Sequence, residues 1–132
     1  MQRLFIALFL AMALTVSAAD SKNYCVLRSA QIFAIGGIRR EGAITAEETA
    51  FNALCKEPYA AQQFRRLLSE ASIEGQMYAL LGLRQLHAPD YKAQADRYRK
   101  STRQVNTGSG CEIGSEKVRY VVNEWVDKMP LE

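Results

Sequence analysis

The chain is short of the residues that usually carry chemistry. Its 132 residues include one histidine, one tryptophan, three prolines and three cysteines. A zinc site asks for three or four Cys or His ligands at short spacing, and no such run exists, so no metal is expected. A thiol enzyme needs a base beside its cysteine. The single histidine, His87, ends an apolar stretch just before Ala88-Pro89, where it reads as a helix C-terminal cap. Carboxylates are scattered singly among basic neighbours, as Glu124 is with Lys128, and no pair suggests a general acid and base. Gly108-Ser109-Gly110 lacks the length and the lysine of a phosphate-binding loop. No catalytic residue, cofactor or metal is therefore expected. Neither sign of charge dominates: 17 basic and 14 acidic residues give a net +3, too little to imply nucleic acid. Nowhere does an apolar run reach the roughly 20 residues that cross a bilayer.

What is present begins with a leader. Met1-Gln2-Arg3 is a short positive segment, Leu4 to Val16 is apolar apart from Thr15, and Val16-Ser17-Ala18-Ala19 offers the small residues a signal peptidase reads. Residues 1–19 are expected to be a secretory signal peptide, cleaved after Ala18 or Ala19, and residues 20–132 a single exported domain, periplasmic or secreted. Its removal leaves 16 basic against 14 acidic residues.

The domain reads as all-α, a compact bundle or short α-α superhelix of five to six helices. Its centre is Ile73 to His87, whose apolar residues fall all round a helical wheel, the mark of a buried helix. Gly75, Ala79 and Gly82 form a row of small residues where a neighbour can approach closely. Before it, Tyr24 to Ile35 carries a helical stripe (Val26, Leu27, Ala30, Phe33, Ala34) that Gly36-Gly37 ends, although its β-branched and aromatic content also suits a strand. Thr45 to Glu48 has the form of a capping box, opening a helix that buries Ala50, Phe51, Leu54 and Cys55. Pro58 stands where the next helix starts, with Ala60, Phe64, Leu67, Leu68 and Ala71 inward. Ser72 caps the central helix. Asp90 caps a shorter one to about Ser101, with Ala95 and Tyr98 inward. Gln104 to Gly114 reads as a glycine-rich loop, and Ser115 as the cap of a last helix from Glu116 to about Met129, buried through Val118, Val121, Val122, Trp125 and Met129.

In an exported protein the cysteines gain meaning. If the first two helices form a hairpin turning near Arg40, Cys25 and Cys55 lie at equal distances from the turn. They are the expected disulfide, with Cys55–Cys111 as the alternative. Closing such a loop stabilises by about 3–4 kcal/mol. The leftover Cys111, in a glycine-rich loop before a helix, is the one residue on which a redox or thiol enzyme could be built.

The densest charge lies in Lys92, Arg97, Arg99, Lys100 and Arg103, interleaved with Tyr91 and Tyr98. Arg97, Arg99, Lys100 and Arg103, with Arg39 and Arg40 of the first long loop, are the candidate partner-binding residues, and their chemistry suits an acidic protein.

The span Gln76 to Ser101 resembles one Sel1/TPR-type (tetratricopeptide-like) unit: small Gly82 in a first helix, a tight turn, Asp90-Tyr91-Lys92-Ala93, then Tyr98-Arg99-Lys100. The pair Tyr59–Ala71 and Ile73–His87 is similar to a HEAT-type helical pair. These resemblances cover about a fifth of the chain, and no second copy recurs at a fixed period. They imply a protein-binding scaffold without catalysis. The expected function is an exported, non-catalytic protein-binding module, such as an immunity protein or an inhibitor of a toxin or hydrolase. A cysteine-based thiol enzyme using Cys111 and a structural envelope protein are the alternatives.

Overall fold

The computed structural model describes residues 20–38 and 42–131. The expected signal peptide and the residues Arg39 and Arg40 lie outside the described residues. The chain runs α1 (Lys22–Arg28), β1 (Phe33–Ile38), α2 (Ala46–Leu54), α3 (Ala60–Glu70), α4 (Ile73–Gln85), α5 (Tyr91–Asp96), β2 (Gln104–Gly110), β3 (Glu112–Lys117) and α6 (Val118–Tyr120), which continues as a π-helical segment, Val121–Val126. The strands form one sheet in the order β1-β2-β3, with β1 and β2 parallel and β2 and β3 antiparallel. The domain is therefore mixed α/β, and the all-α expectation is corrected.

Two segments carry that correction. The first apolar stretch divides: its first half forms α1, ending at Arg28, and its second half, Phe33-Ala34-Ile35, becomes a strand with Phe33 and Ala34 fully buried. The glycines after it do not end the element. Gly36 and Gly37 lie inside β1 at φ +89° and +85°, and the pairing with β2 shifts register between Ala34 and Ile38. Such a bulge needs residues without a Cβ, and at Gly37 a Cβ would collide with the backbone of Gly42. The N–H groups of Gly36 and Gly37 are received by the carboxylate of Glu48, at 2.7 and 3.2 Å. Only half of the expected capping box forms, accordingly. Thr45 Oγ1 accepts from Glu48 N–H at 3.0 Å, while the Glu48 side chain turns to the strand and is buried there.

The second segment is the glycine-rich stretch, which is a β-hairpin and not a loop. In β2, Val105 and Thr107 point inward and Gln104 and Asn106 outward, the period-2 alternation of a sheet with one wet face. Parallel pairing of β1 with β2 requires a long crossover, supplied by the whole run from α2 to α5.

At the centre, α4 is buried along Glu74, Gly75 and Met77 to Leu83. Ser72 Oγ caps it by accepting from Gly75 N–H. A Cβ on Gly75 would meet the carbonyl of Leu27, and one on Gly82 the ring of Phe64, so these glycines let α1 and α3 close on α4. Tyr78 joins helix to sheet: its hydroxyl donates to Ala34 O at 2.9 Å and accepts from Ala34 N–H at 3.0 Å. Its ring meets Phe33 edge-on, centroids 4.8 Å apart. At its C-terminus His87 takes a left-handed conformation, φ 53°. His87 N–H bonds to Arg84 O and Ala88 N–H to Leu83 O, the paired bonds of a Schellman ending. The helix α3 starts not on Pro58 but after Tyr59, itself left-handed at φ 59°. The buried side chains form one contiguous core.

Candidate functional site

The expected partner-binding residues do not stay together. Arg99 turns inward. Its guanidinium donates to Asp96 at 2.8 Å, to Asn123 at 2.9 Å and to both oxygens of Asp127, while Tyr91 donates its hydroxyl to the same Asp127. Asp127 and Asp96 hold the Arg99 guanidinium more firmly protonated than usual. Burial works to raise the Asp127 carboxyl, but the bonds from Arg99 and Tyr91 outweigh it and keep it low. Arg99 is thus a tether between α5 and the C-terminal helix, and the structure removes it from the binding face. Asp90 is also redirected. It makes no side-chain cap bond at α5. Instead Arg65 grips it with two bonds, at 2.8 and 2.9 Å, and lowers its carboxyl to about 2.

Arg97, Lys100 and Arg103 do remain on the surface. The fold adds two residues that the linear reading passed over. Val118 N–H bonds to Arg103 O at 2.9 Å, and Arg119 N–H to Ser101 O at 3.3 Å. These bonds lay the end of the hairpin against the stretch after α5 and bring Lys117 and Arg119 into the neighbourhood of Arg103. Tyr120, 47% exposed, stands beside them. Lys117, Arg119 and Tyr120 line a shallow depression of about 400 Å³ with Gln104, Ser115 and Glu116. The signal was present in the sequence as Lys117-Val118-Arg119-Tyr120, one cation on each side of a buried valine. It was read as helix surface because the strand preceding it was not recognised.

The arginines at the joints of the fold differ from the cations of this face. Arg28, Arg65, Arg66 and Arg99 each pair with a carboxylate: Asp20, Asp90, Asp20 with Glu70, and Asp96 with Asp127, respectively. Among the described residues no ion pair engages Arg97, Lys100, Arg103, Lys117 or Arg119. The first four arginines serve the fold. Arg97, Lys100, Arg103, Lys117 and Arg119 are left to solvent, as are Lys22, Lys56 and Lys92 elsewhere on the surface.

Cys111 sits at the turn of the β2–β3 hairpin, exposed, and leads into a strand rather than a helix. The cleft it borders is lined by Thr107, Ser109, Glu112, Glu116 and Trp125, and His87 is not among the lining residues. Cys25 and Cys55 are half-buried. Asn23 on α1 donates to Glu57, two residues after Cys55, at 2.9 Å. The start of α1 therefore lies beside the end of α2. Among the described residues no group of three or more His, Cys, Asp or Glu side chains could hold a metal ion, and no helix is long and apolar enough to cross a membrane.

Comparison with protein-family models, with curated proteins and with solved structures finds no match to this chain.

Proposed function

We propose that this chain is an exported, non-catalytic protein-binding domain that meets an acidic surface of its partner through Arg97, Lys100, Arg103, Lys117 and Arg119 around Tyr120. An immunity protein, or an inhibitor of a toxin or hydrolase, is the concrete form of this reading. The observation that supports it is the division of the cations: arginines that brace the fold have carboxylate partners, and the five on this face have none among the described residues. Exposed cations grouped on one face raise the encounter rate with an acidic partner and set orientation. The exposed tyrosine supplies apolar contact area at low entropic cost.

Export carries a covalent consequence. A thiol oxidase of the compartment would take two electrons and two protons from Cys25 and Cys55 and leave a disulfide between α1 and α2, tightening a contact the Asn23–Glu57 bond already makes. Mass mapping of the exported protein without reductant tests this: a Cys25–Cys55 peptide is expected, and a Cys55–Cys111 peptide would overturn the pairing.

The binding reading is tested by capture from the envelope of the source cells. The unaltered domain is compared with one carrying Arg103→Glu and Arg119→Glu. A partner retained by the first and lost by the second, with affinity falling about tenfold or more per reversal and further with added salt, is the expected result. A partner held equally by both would overturn the assignment of this face.

A further inference from the structure

The hairpin has a second side that the basic face does not use. All six residues of β3 are exposed. Among the described residues the strand pairs on one side only, with β2, and lies at the edge of the sheet. Edge strands are commonly blunted by proline, by a bulge, by a covering element or by charged side chains. The strand β3 uses the last, in Glu112, Glu116 and Lys117, which discourages pairing except with a segment of complementary charge. The register here is unbroken from Gln104–Lys117 to Ser109–Glu112, and the strand contains no proline. Its free edge is the kind of template to which an extended segment of another chain adds.

The chemistry beside that edge is one-sided. In an antiparallel pair, directly opposed residues share a face. Glu112, Gly114 and Glu116 oppose Ser109, Thr107 and Val105, so they occupy the side on which Val105 and Thr107 are buried. Because the hairpin overhangs the helices there, the space beneath is an open cleft of about 360 Å³ and not packed core. Trp125 lines it, half-buried, with its ring 6.3 Å from that of Phe33. Its charged lining groups are Glu112 and Glu116, with no lysine or arginine among them. An indole face between two carboxylates is a receptor for a cation, by attraction to the ring and to both acids.

We propose that β3 accepts an extended basic segment of a partner protein, which adds as a fourth strand and sets a lysine or arginine over Trp125 between Glu112 and Glu116. A second copy of the chain fits this edge poorly, because a two-fold pairing centred on Gly114 brings Glu112 of each copy against Glu116 of the other. The assignment uses none of the five cations and the opposite charge sign, and Glu116 is the one residue that borders both this cleft and the depression beside Lys117.

Trp125 is the only tryptophan of the chain, so its fluorescence reports on this cleft alone. The probe is a short capped peptide alternating lysine and threonine, titrated into the full exported domain. A saturable change in emission is expected, together with slowed amide exchange across 112–117. Binding should weaken about tenfold or more in the Glu112→Gln, Glu116→Gln double variant, whose sites are exposed and tolerate the change. It should weaken equally when alternate peptide amides are N-methylated, which blocks strand pairing but spares the charges. Because Glu116 also lines the depression beside Lys117, the Glu112→Gln single variant, which leaves that depression unaltered, keeps loss of this binding and loss of the acidic partner separately readable. An equal response to the glutamate analogue, no saturation, or indifference to the double variant would overturn the proposal. So would a dimer formed through β3 without peptide.

Discussion

At the scale of single residues, a few side chains fix how the helical layer meets the sheet. Tyr78 satisfies both polar groups of Ala34 from inside the core. Tyr78→Phe leaves a buried N–H and a buried C=O without a partner and should cost about 2–3 kcal/mol, read by urea unfolding. Its burial also raises the phenol to about 12 despite the Ala34 bonds. Burial likewise raises Tyr24, Tyr91 and Tyr98. Each phenol is held neutral in the fold, so its contribution is complete below the ordinary tyrosine value near 10 and is lost as pH climbs through the raised one. Unfolding free energy should thus fall steeply on the alkaline side of about pH 10, and Tyr78→Phe should flatten that limb. The glycines make a sharper contrast. Gly82→Ala drives a methyl into the Phe64 ring and should cost about 2–3 kcal/mol. Gly114→Ala, with nothing within 4 Å of the added carbon, should stay within about 0.5 kcal/mol.

At the scale of elements, the C-terminal helix is held by side-chain anchors as well as by its valines. Arg99 and Tyr91 meet on Asp127, and Arg84 donates to Met129 O. Arg99→Ala should therefore destabilise by about 2 kcal/mol or more, while Arg97→Ala, whose side chain is exposed and bonds only to Gln94, should change stability little. Acid should weaken the joint between α3 and α5. Asp90 is depressed to about 2 by Arg65; its contribution is present above the unfolded value near 4 and is lost as pH falls toward 2. The pair is about one-third exposed, so solvent screening reduces it to roughly 1 kcal/mol. Asp90→Asn should remove that part of the acid limb.

What was legible in the sequence follows from which signals compete. Helices α2 and α3 declare themselves through 3.6-residue stripes and α4 through a run apolar on every side, and Thr45 and Ser72 do cap. The strands do not declare themselves. Phe33 to Ile38 is short, and its apolar residues happen to continue a helical stripe from α1, so the period was ambiguous there. Gly36-Gly37 looks like a terminator because nothing local reveals that Glu48, far along the chain, receives the freed N–H groups. In β2 only Val105, Thr107 and Gly108 are buried, and β3 buries nothing, so the hairpin lacks the alternating apolar pattern by which strands are found. The last helix buries Val118, Val121 and Val122 as expected, but Trp125 and Met129 are only half-buried and Val126 is fully buried in addition. It starts at Val118 and not at Glu116, because Lys117 belongs to the strand. Its π-helical turn, with Asp127 N–H reaching Val122 O, is set by packing and leaves no sequence mark.

At the scale of the whole molecule, the charges divide by task. The net charge of +3 conceals a segregation that only the fold produces. Acids meet arginines at the joints between helices, while Lys117 and Arg119 stand with Tyr120 at one depression and Glu112 with Trp125 at another, Glu116 bordering both. Sequence proximity found Arg97, Lys100 and Arg103 and included Arg99, which the fold uses elsewhere. Lys117 and Arg119 reach the face only because the hairpin returns along the end of α5. The second group was invisible, since it requires β3 to be a strand. The account stands on the claim that the five cations are a binding face and not merely solvated surface. The most direct measurement is the affinity of the captured partner for the unaltered domain and for the Arg103→Glu, Arg119→Glu variant across a salt series, with urea unfolding of both. Unchanged stability within about 0.5 kcal/mol, a loss of affinity of about a hundredfold and a salt dependence much shallower in the variant are expected. Equal affinity and equal salt slopes in the two proteins would contradict the claim.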